Sequence, residues 1–439
     1  MFAPLYTADE MRAAEQGHDV EAMMERAGRA VAETVLQRYP EARRIAGVCG
    51  KGANGGDGRI ALRVLREAGR DTSDELNGDV DVVIDALFGT GFHGEPRAEA
   101  AALIERINTV GVPVVAVDLP SGVNASTGEV AGAAVRADLT VTMHGPKVGL
   151  VVAPGRFLAG EIEVADIGLT HAETKHQLVT EQILGLVPRR REGDTKYTAG
   201  SVLVVGGSPG LTGAARLAAE AAFRADAGYV AVCVPEASLP VIETLLIEAV
   251  KAPRERIDEL ADRASALAVG PGLGRADQER ALVRRLLAER NLPAVVDADA
   301  LFGLEPDRWP APRVLTPHSG ELARLIGESS RWVDAHRLEA LRRTVERFEG
   351  VVLLKGSDTL IGAPGDAVLV CTSGTPALAT AGTGDVLTGV IGAFLAKGMD
   401  ARLAAAAGAV AHGRAAQIAP HQVGLVASDV VESLPLALA

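Results

Sequence analysis

Four residues near the C-terminus, Gly382-Thr383-Gly384-Asp385, join a glycine-lined turn to a carboxylate. Glycines let successive backbone N–H groups converge on an anion. The apolar run that follows, Val386-Leu387-Thr388-Gly389-Val390-Ile391-Gly392-Ala393-Phe394, predicts a buried helix whose positive end faces that anion. Phosphate suits such a nest, and Asp385 is placed to take a proton from a substrate hydroxyl. Alone, the string also fits an ordinary turn closing on a helix N-cap.

Other loops in the C-terminal half repeat one layout. Val269-Gly270-Pro271-Gly272-Leu273-Gly274, Val295-Val296-Asp297-Ala298-Asp299, Leu315-Thr316-Pro317-His318-Ser319-Gly320-Glu321 and Val351-Val352-Leu353-Leu354-Lys355-Gly356-Ser357-Asp358-Thr359 are each a short apolar run breaking into a Gly-, Asp- or Lys-bearing turn. An α/β sheet presents functional loops in this way, at the carboxyl ends of its strands. His318 sits in one of them and reads as a substrate contact. The remaining histidines singled out, His93, His144, His412 and His421, are scattered and read as surface or satisfied core positions.

The N-terminal half carries a second constellation. Ile45-Ala46-Gly47-Val48-Cys49 predicts a strand, and Gly50-Lys51-Gly52-Ala53-Asn54-Gly55-Gly56-Asp57-Gly58 a phosphate-cradling loop before a helix from Arg59. A plain tight connection fits that loop too. Two further strands, ending Ile84-Asp85-Ala86 and Ala116-Val117-Asp118, place an Asp at the carboxyl edge of a buried parallel strand. A charge there is costly unless paired or bound to a cation. Lys147, in Gly145-Pro146-Lys147-Val148-Gly149-Leu150, reads either as an acid or electrostatic partner of Asp118 or as a surface cation.

Together the C-terminal motifs, including Val204-Val205-Gly206-Gly207-Ser208-Pro209-Gly210, resemble the ribokinase-like branch containing NAD(P)H-hydrate dehydratase. The N-terminal motifs, with Met24-Glu25-Arg26-Ala27-Gly28, resemble NAD(P)H-hydrate epimerase. The resemblance implies a bifunctional metabolite-repair enzyme built from two three-layer α/β domains, Rossmann-like over 1–172 and ribokinase-like over 178–439. It would interconvert the R and S hydrates of NADH and NADPH, then dehydrate the S form at the expense of ADP (or ATP), releasing AMP and phosphate. Carried over, Asp385, Asp118 and Lys147 are the catalytic candidates. Hydrated cofactor is expected on Ala53, Asn54, Gly55, Gly56, Asp57, on Gly89, Thr90, Gly91, Phe92, His93, Gly94, Glu95 and on Asp118 in one domain, and on Gly274, His318 and Asp385 in the other. Adenine nucleotide is expected on Lys355, Gly356, Ser357, Asp358, Thr359, Thr375, Ala379, Thr380, Ala381, Gly382, Thr383 and Gly384. Potassium would rest on Asn54, Asp85 and Ser121, and Mg2+ would accompany the nucleotide.

Two departures stand out. The family's loop begins with two asparagines, and here the first is Ala53. Between Gly69 and Val82 the chain offers a polar linker with no apolar run where the family has another strand and helix, which predicts a trimmed but working domain.

Length fits two catalytic units, since 439 residues exceed one ordinary core. The join is expected in 170–195, where Arg189-Arg190-Arg191 reads as a solvated linker, because a formal charge of -13 argues against nucleic acid. Three scattered cysteines argue for neither a disulfide framework nor a zinc site and suit the cytoplasm. No membrane segment is predicted. The alanine-rich run 403–416 predicts a close-packed helix and a homo-oligomer. Two rival readings are a vitamin-precursor kinase using the same Asp385, and a non-catalytic N-terminal nucleotide-binding module.

Overall fold

The computed structural model describes residues 1–170 and 174–439, so the start of the expected join, and the expected boundary at 172, lie outside the described residues. The chain divides into two compact units: Pro4–Gln177 with Asp334–Arg337, and Met1–Ala3 with Leu178–Val333 and Leu338–Ala439.

The N-terminal unit is built on a six-stranded sheet in the order Asp71–Ser73, Arg44–Cys49, Val82–Ala86, Val114–Val117, Leu139–Met143, Glu161–Ala165, with every pairing parallel. Runs such as Val82–Ala86 and Leu139–Met143 are buried at every residue, as expected for parallel strands covered on both faces. The chain steps from Arg44–Cys49 to one neighbour and then returns to the other, which opens a crevice at the carboxyl end of that strand. Helices Val20–Arg38 and Ala53–Glu67 pack closely there. A Cβ on Gly28 would lie 2.5 Å from Ile60 Cβ, so glycine lets the two helices approach.

Residues 69–82 correct the sequence reading in part. A short strand, Asp71–Ser73, does form and pairs with Arg44–Ala46. An edge strand needs only backbone partners, not an apolar run. No helix follows it; Asp81 instead accepts hydrogen bonds from the Arg43 and Arg44 backbone N–H groups at 2.8 Å, and Leu76 is buried in the helix's place.

In the C-terminal unit, strands run in the order Val368–Cys371, Thr359–Gly362, Val351–Leu354, Arg313–Leu315, Ala294–Val296, Ala266–Val269, Ser201–Val205, Tyr229–Val234, Val250–Pro253. The first two form antiparallel pairings and the rest are parallel. The order reverses between Ser201–Val205 and Ala266–Val269, and the loops beyond them interlock: Gly207 N donates to Pro271 O at 3.0 Å and Ser208 N to Gly272 O at 2.7 Å.

Helix Thr383–Ala396 crosses this sheet, buried nearly throughout, and a Cβ on its Gly389 would come within 2.1 Å of Ala218 O on helix Thr212–Arg224. Helix Ala401–Ile418 buries residues 404–411 inside the same unit. The alanines thus serve internal packing, and the run gives no argument for a subunit contact. Among the described residues no helix is long and apolar enough to cross a membrane.

Candidate active sites

In the N-terminal unit the predicted loop and helix overlap. The helix begins at Ala53, so Asn54, Gly55, Gly56, Asp57 and Gly58 lie in its first turns rather than before it. Glycine is normally poor in a helix. Here contact demands it: a Cβ on Gly55 would sit 1.9 Å from Gly50 O, and one on Gly58 would sit 2.4 Å from Ala86 Cβ. The helix N-terminus is thereby pressed onto the strand ends.

Above these strand ends opens a cavity of about 1010 Å³. Its wall includes Ala53, Asn54, Asp57, Gly89, Thr90, Gly91, Phe92, His93, Glu95, Asp118 and Lys147. Gly55, Gly56 and Gly94 are not on that wall. The remaining sides include Met11, Met23 and Met24, and a carboxylate with no sequence signal, Glu15.

Asp118 follows strand Val114–Val117 with a left-handed φ of 68°, a conformation that costs energy outside glycine. It turns its Oδ1 to Lys147 Nζ at 2.5 Å. Lys147 is completely buried, so the reading of it as a surface cation is wrong: its ammonium also donates to Thr142 Oγ1 at 3.0 Å and Met143 O at 2.7 Å. Met143 N, at 3.3 Å, donates to the same Asp118 oxygen. Asp57 differs. It is buried with Oδ1 lacking any partner, and burial first, then the Asp118 and Glu15 carboxylates, push its carboxyl up to about 8.

Asp85 is also fully buried, accepting from Ser121 N at 2.8 Å and Ser121 Oγ at 2.6 Å. Burial raises it to about 6 against these hydrogen bonds, and no cationic side chain among the described residues pairs with it. Asn54 Nδ2 donates to Phe88 O at 2.8 Å, and Phe88 N donates to Ser121 Oγ at 2.8 Å. Asn54, Asp85 and Ser121 are therefore linked around the Phe88 peptide.

In the C-terminal unit helix Thr383–Ala396 starts inside the predicted turn, with Gly382 as its N-cap at φ 91°. Asp385 thus lies in the first helical turn beside N–H groups that have no intrahelical partner. Thr383 Oγ1 is spent on the turn, donating to Leu378 O at 2.8 Å and Thr380 O at 2.9 Å. Burial, then the Asp297 carboxylate, lift Asp385 to about 7, with Lys355 working against them.

Lys355 leaves the end of strand Val351–Leu354, and its N–H donates to Pro317 O at 2.9 Å. Its ammonium meets Asp297 Oδ1 at 2.7 Å and lies 3.9 Å from Glu321 Oε2. Asp297 Oδ2 accepts from Thr388 Oγ1 at 2.7 Å. From sequence alone Asp297 and Glu321 have no assigned role and Thr388 stands out only as a hydroxyl inside an apolar helix.

The other predicted residues fall as follows. Gly274 N donates to Asp299 Oδ2 at 3.0 Å, and Asp299 pairs with Arg275 at 2.6 Å. His318 caps helix Ser319–Ile326, Nδ1 accepting from Gly320 N at 3.0 Å, with most of its ring exposed. Gly356, Ser357 and Ala379 are exposed, whereas Asp358 is buried. Thr375 Oγ1 is buried without a partner. His412 is more than a satisfied core residue. Burial holds its imidazole down at about 4, its ring hydrogen-bonds the Thr383 backbone, and Nε2 is buried with no partner.

Two family models match this chain. Residues 202–435 match the family described as NAD(P)H-hydrate dehydratase. Residues 20–72 and 69–149 match the family described as YjeF-related protein N-terminus. A bifunctional NAD(P)H-hydrate repair enzyme of Moorella thermoacetica is 37% identical, over 95% of this chain and 92% of that protein. One from Escherichia coli K12 is 33% identical, over 98% and 93%. The ADP/ATP-dependent NAD(P)H-hydrate dehydratase of Bacillus subtilis, solved with ATP and Mg2+, is 29% identical with a TM-score of 0.55, covering 59% of this chain and 96% of that one. A ribokinase-like superfamily protein of Enterococcus faecalis shares the fold, at 23% identity and a TM-score of 0.55, over 61% and 97%.

Proposed function

We infer from these matches that this chain, which belongs to the family of bifunctional NAD(P)H-hydrate repair enzymes, restores hydrated NADH and NADPH through two activities. The N-terminal unit is an NAD(P)H-hydrate epimerase and the C-terminal unit an ADP/ATP-dependent NAD(P)H-hydrate dehydratase. The observation that carries this reading is the likeness to bifunctional relatives along nearly the whole chain. It also sets aside the vitamin-kinase and non-catalytic readings. Three free cysteines fit a reducing cytoplasm.

In the epimerase the cavity about Asp118 takes the hydrated nicotinamide. C6 bears both a hydroxyl and the ring nitrogen, so inversion needs proton transfers and no redox group. The Asp118 carboxylate accepts the hydroxyl proton, C6 becomes a carbonyl, and the C6–N1 electron pair leaves with N1. Asp57, buried and kept protonated near neutrality, donates to N1. Rotation about C5–C6 and the reverse transfers close the ring on the other face. Lys147, in direct contact, fixes the position of Asp118.

Potassium fits Asn54, Asp85 and Ser121, because a buried carboxylate among oxygen donors has no cation of its own among the described residues. When bound, the ion supplies the countercharge for Asp85. Those residues in turn hold the loop 88–95 that walls the cavity.

In the dehydratase the nucleotide enters as its magnesium complex, with ADP the preferred form, and its terminal phosphate settles on Gly382, Thr383 and Gly384. Lys355 and the buried, unpartnered Thr375 hydroxyl supply further donors. Asp385 accepts the C6 hydroxyl proton as that oxygen attacks the terminal phosphorus, and AMP leaves. Hydroxide, a poor leaving group, has become phosphate; the N1 lone pair expels it, and loss of a C5 proton restores NAD(P)H.

The test is recovery of reduced-nicotinamide absorbance from a mixed R and S hydrate with magnesium-ADP and potassium. Complete fast recovery supports both activities. Recovery that stalls when the S form is consumed means an inactive epimerase. No recovery with ADP or ATP overturns the repair reading.

A further inference from the structure

The lysine beside the C-terminal nest does not pair with the candidate base. Lys355 Nζ takes Asp297 Oδ1 at 2.7 Å, and Asp297 lies almost completely buried at the end of strand Ala294–Val296. The second oxygen of Asp297 is engaged as well, by Thr388 Oγ1 at 2.7 Å, and that hydroxyl is also 3.1 Å from Gly384 O in the preceding turn. One carboxylate therefore ties together a strand end, the Lys355 turn and the helix that carries the nest. The tie lies directly beneath the nest: a Cβ on Gly384 would meet Lys355 Nζ at 3.4 Å and Asp297 Oδ2 at 3.8 Å.

We propose that Asp297 is a positioning residue of the dehydratase, holding the Lys355 ammonium under Gly384, where it faces the transferring phosphoryl group, and keeping it from pairing with Asp385. The inference rests on the dehydratase reading. Asp385 must accept a proton during attack, and a base locked to an ammonium is weakened by it. Held by Asp297, the same ammonium stays under Gly384, on the side of the proposed phosphate nest.

The groups facing Asp385 are Asp297, Lys355, Asp299 and Glu321; His318 adjoins Glu321, and His412 adds its charge to Lys355's surroundings only below its low range. Burial and Asp297 raise Asp385 while Lys355 lowers it. Removing one member of the pair therefore shifts Asp385 in a direction set by which member is lost.

The experiment follows the pH dependence of kcat/KM for dehydration of purified S hydrate with magnesium-ADP, using the full chain. D297N frees Lys355 toward Asp385, and the acid limb moves down by about one unit or more, as for a carboxylate newly beside an ammonium. Its kcat above the limb falls about tenfold or more with the loss of an oriented donor. K355M moves the limb up. The D297N/K355M double variant removes both charges together, so it keeps no lone buried ion, and its limb returns toward that of the wild type. Should D297N not fold, an upward shift in K355M that the double variant reverses supports the proposal. Limbs that stay at the wild-type position, or move together in one direction, overturn it and leave Asp297 a structural group. Wild-type protein that dehydrates nothing with ADP or ATP sinks the dehydratase reading instead.

Discussion

Each unit sets an Asp at the carboxyl edge of a parallel sheet with a lysine nearby, and the two treat that lysine differently. In the N-terminal unit Lys147 is buried in direct contact with Asp118. In the C-terminal unit Lys355 is claimed by Asp297, and Asp385 rises to about 7. The same pair of residue types places one proposed base in direct contact with its lysine and leaves the other beside a lysine held by a different carboxylate. Burial raises Asp385 most, and Asp297 adds to it while holding the lysine.

The comparison breaks most visibly at Asp385. Asp385→Asn removes the proton acceptor and is expected to lower kcat for dehydration by about 10²–10⁴, the usual range for a general base. Epimerisation, followed by the interconversion of R and S hydrates, stays at the wild-type rate. Equal loss of both activities would count against separate sites.

Lys147→Met probes the anchored pair. With its ammonium gone, Asp118 is left charged and buried, and stability of the N-terminal unit falls by about 3–5 kcal/mol in a denaturant titration. An unchanged midpoint would mean that Asp118 does not carry its charge there.

Potassium sharpens the contrast, since only the N-terminal unit has the Asp85 site. At a hundredfold excess over its Kd the ion adds about 2.7 kcal/mol to unfolding of the wild type. Asp85→Asn should abolish that gain, while sodium or a large organic cation should not reproduce it in the wild type.

For Asp385 the pH sign is fixed by the raised carboxyl. Below about 7 it holds its proton and cannot accept another, so dehydration kcat/KM falls tenfold per unit on the acid side. The linked stability runs the other way. The folded state binds the extra proton, so this contribution is present at acid pH and is lost as pH rises from the ordinary carboxylate range through about 7. Thermal unfolding of Asp385→Asn against wild type across that window measures it, as a smaller effect.

The smallest effect belongs to the shortened edge. Asp81→Ala removes the acceptor for the Arg43 and Arg44 N–H groups at the exposed rim, and both activities should stay within about twofold of wild type, because surface changes there are weakly coupled to the core.

Much of this was legible in the chain itself. Strands with a charged residue at or just past their ends, such as Val82–Ala86 with Asp85 and Val351–Leu354 with Lys355, are readable because a buried parallel strand must be apolar and its functional groups gather at its end. The proposed phosphate nest at Gly382, Thr383 and Gly384 is readable from its glycines, since the φ of 91° at its cap favours glycine. Helix starts were less legible. Ala53 and Thr383 begin helices inside glycine-rich turns, where local propensity argues for loop and close packing against Gly50 O or Leu217 overrules it.

What the sequence determined, then, is which residues stand at the sheet edges, since strand periodicity and turn chemistry are local. Only the tertiary structure decided which charges meet. Lys147 finds Asp118 from 29 positions away and Lys355 finds Asp297 from 58. Coulombic contact and desolvation depend on distance in space: no local pattern announces Glu15 on its cavity wall, and the Thr388 hydroxyl inside its apolar helix does not name Asp297 as its partner.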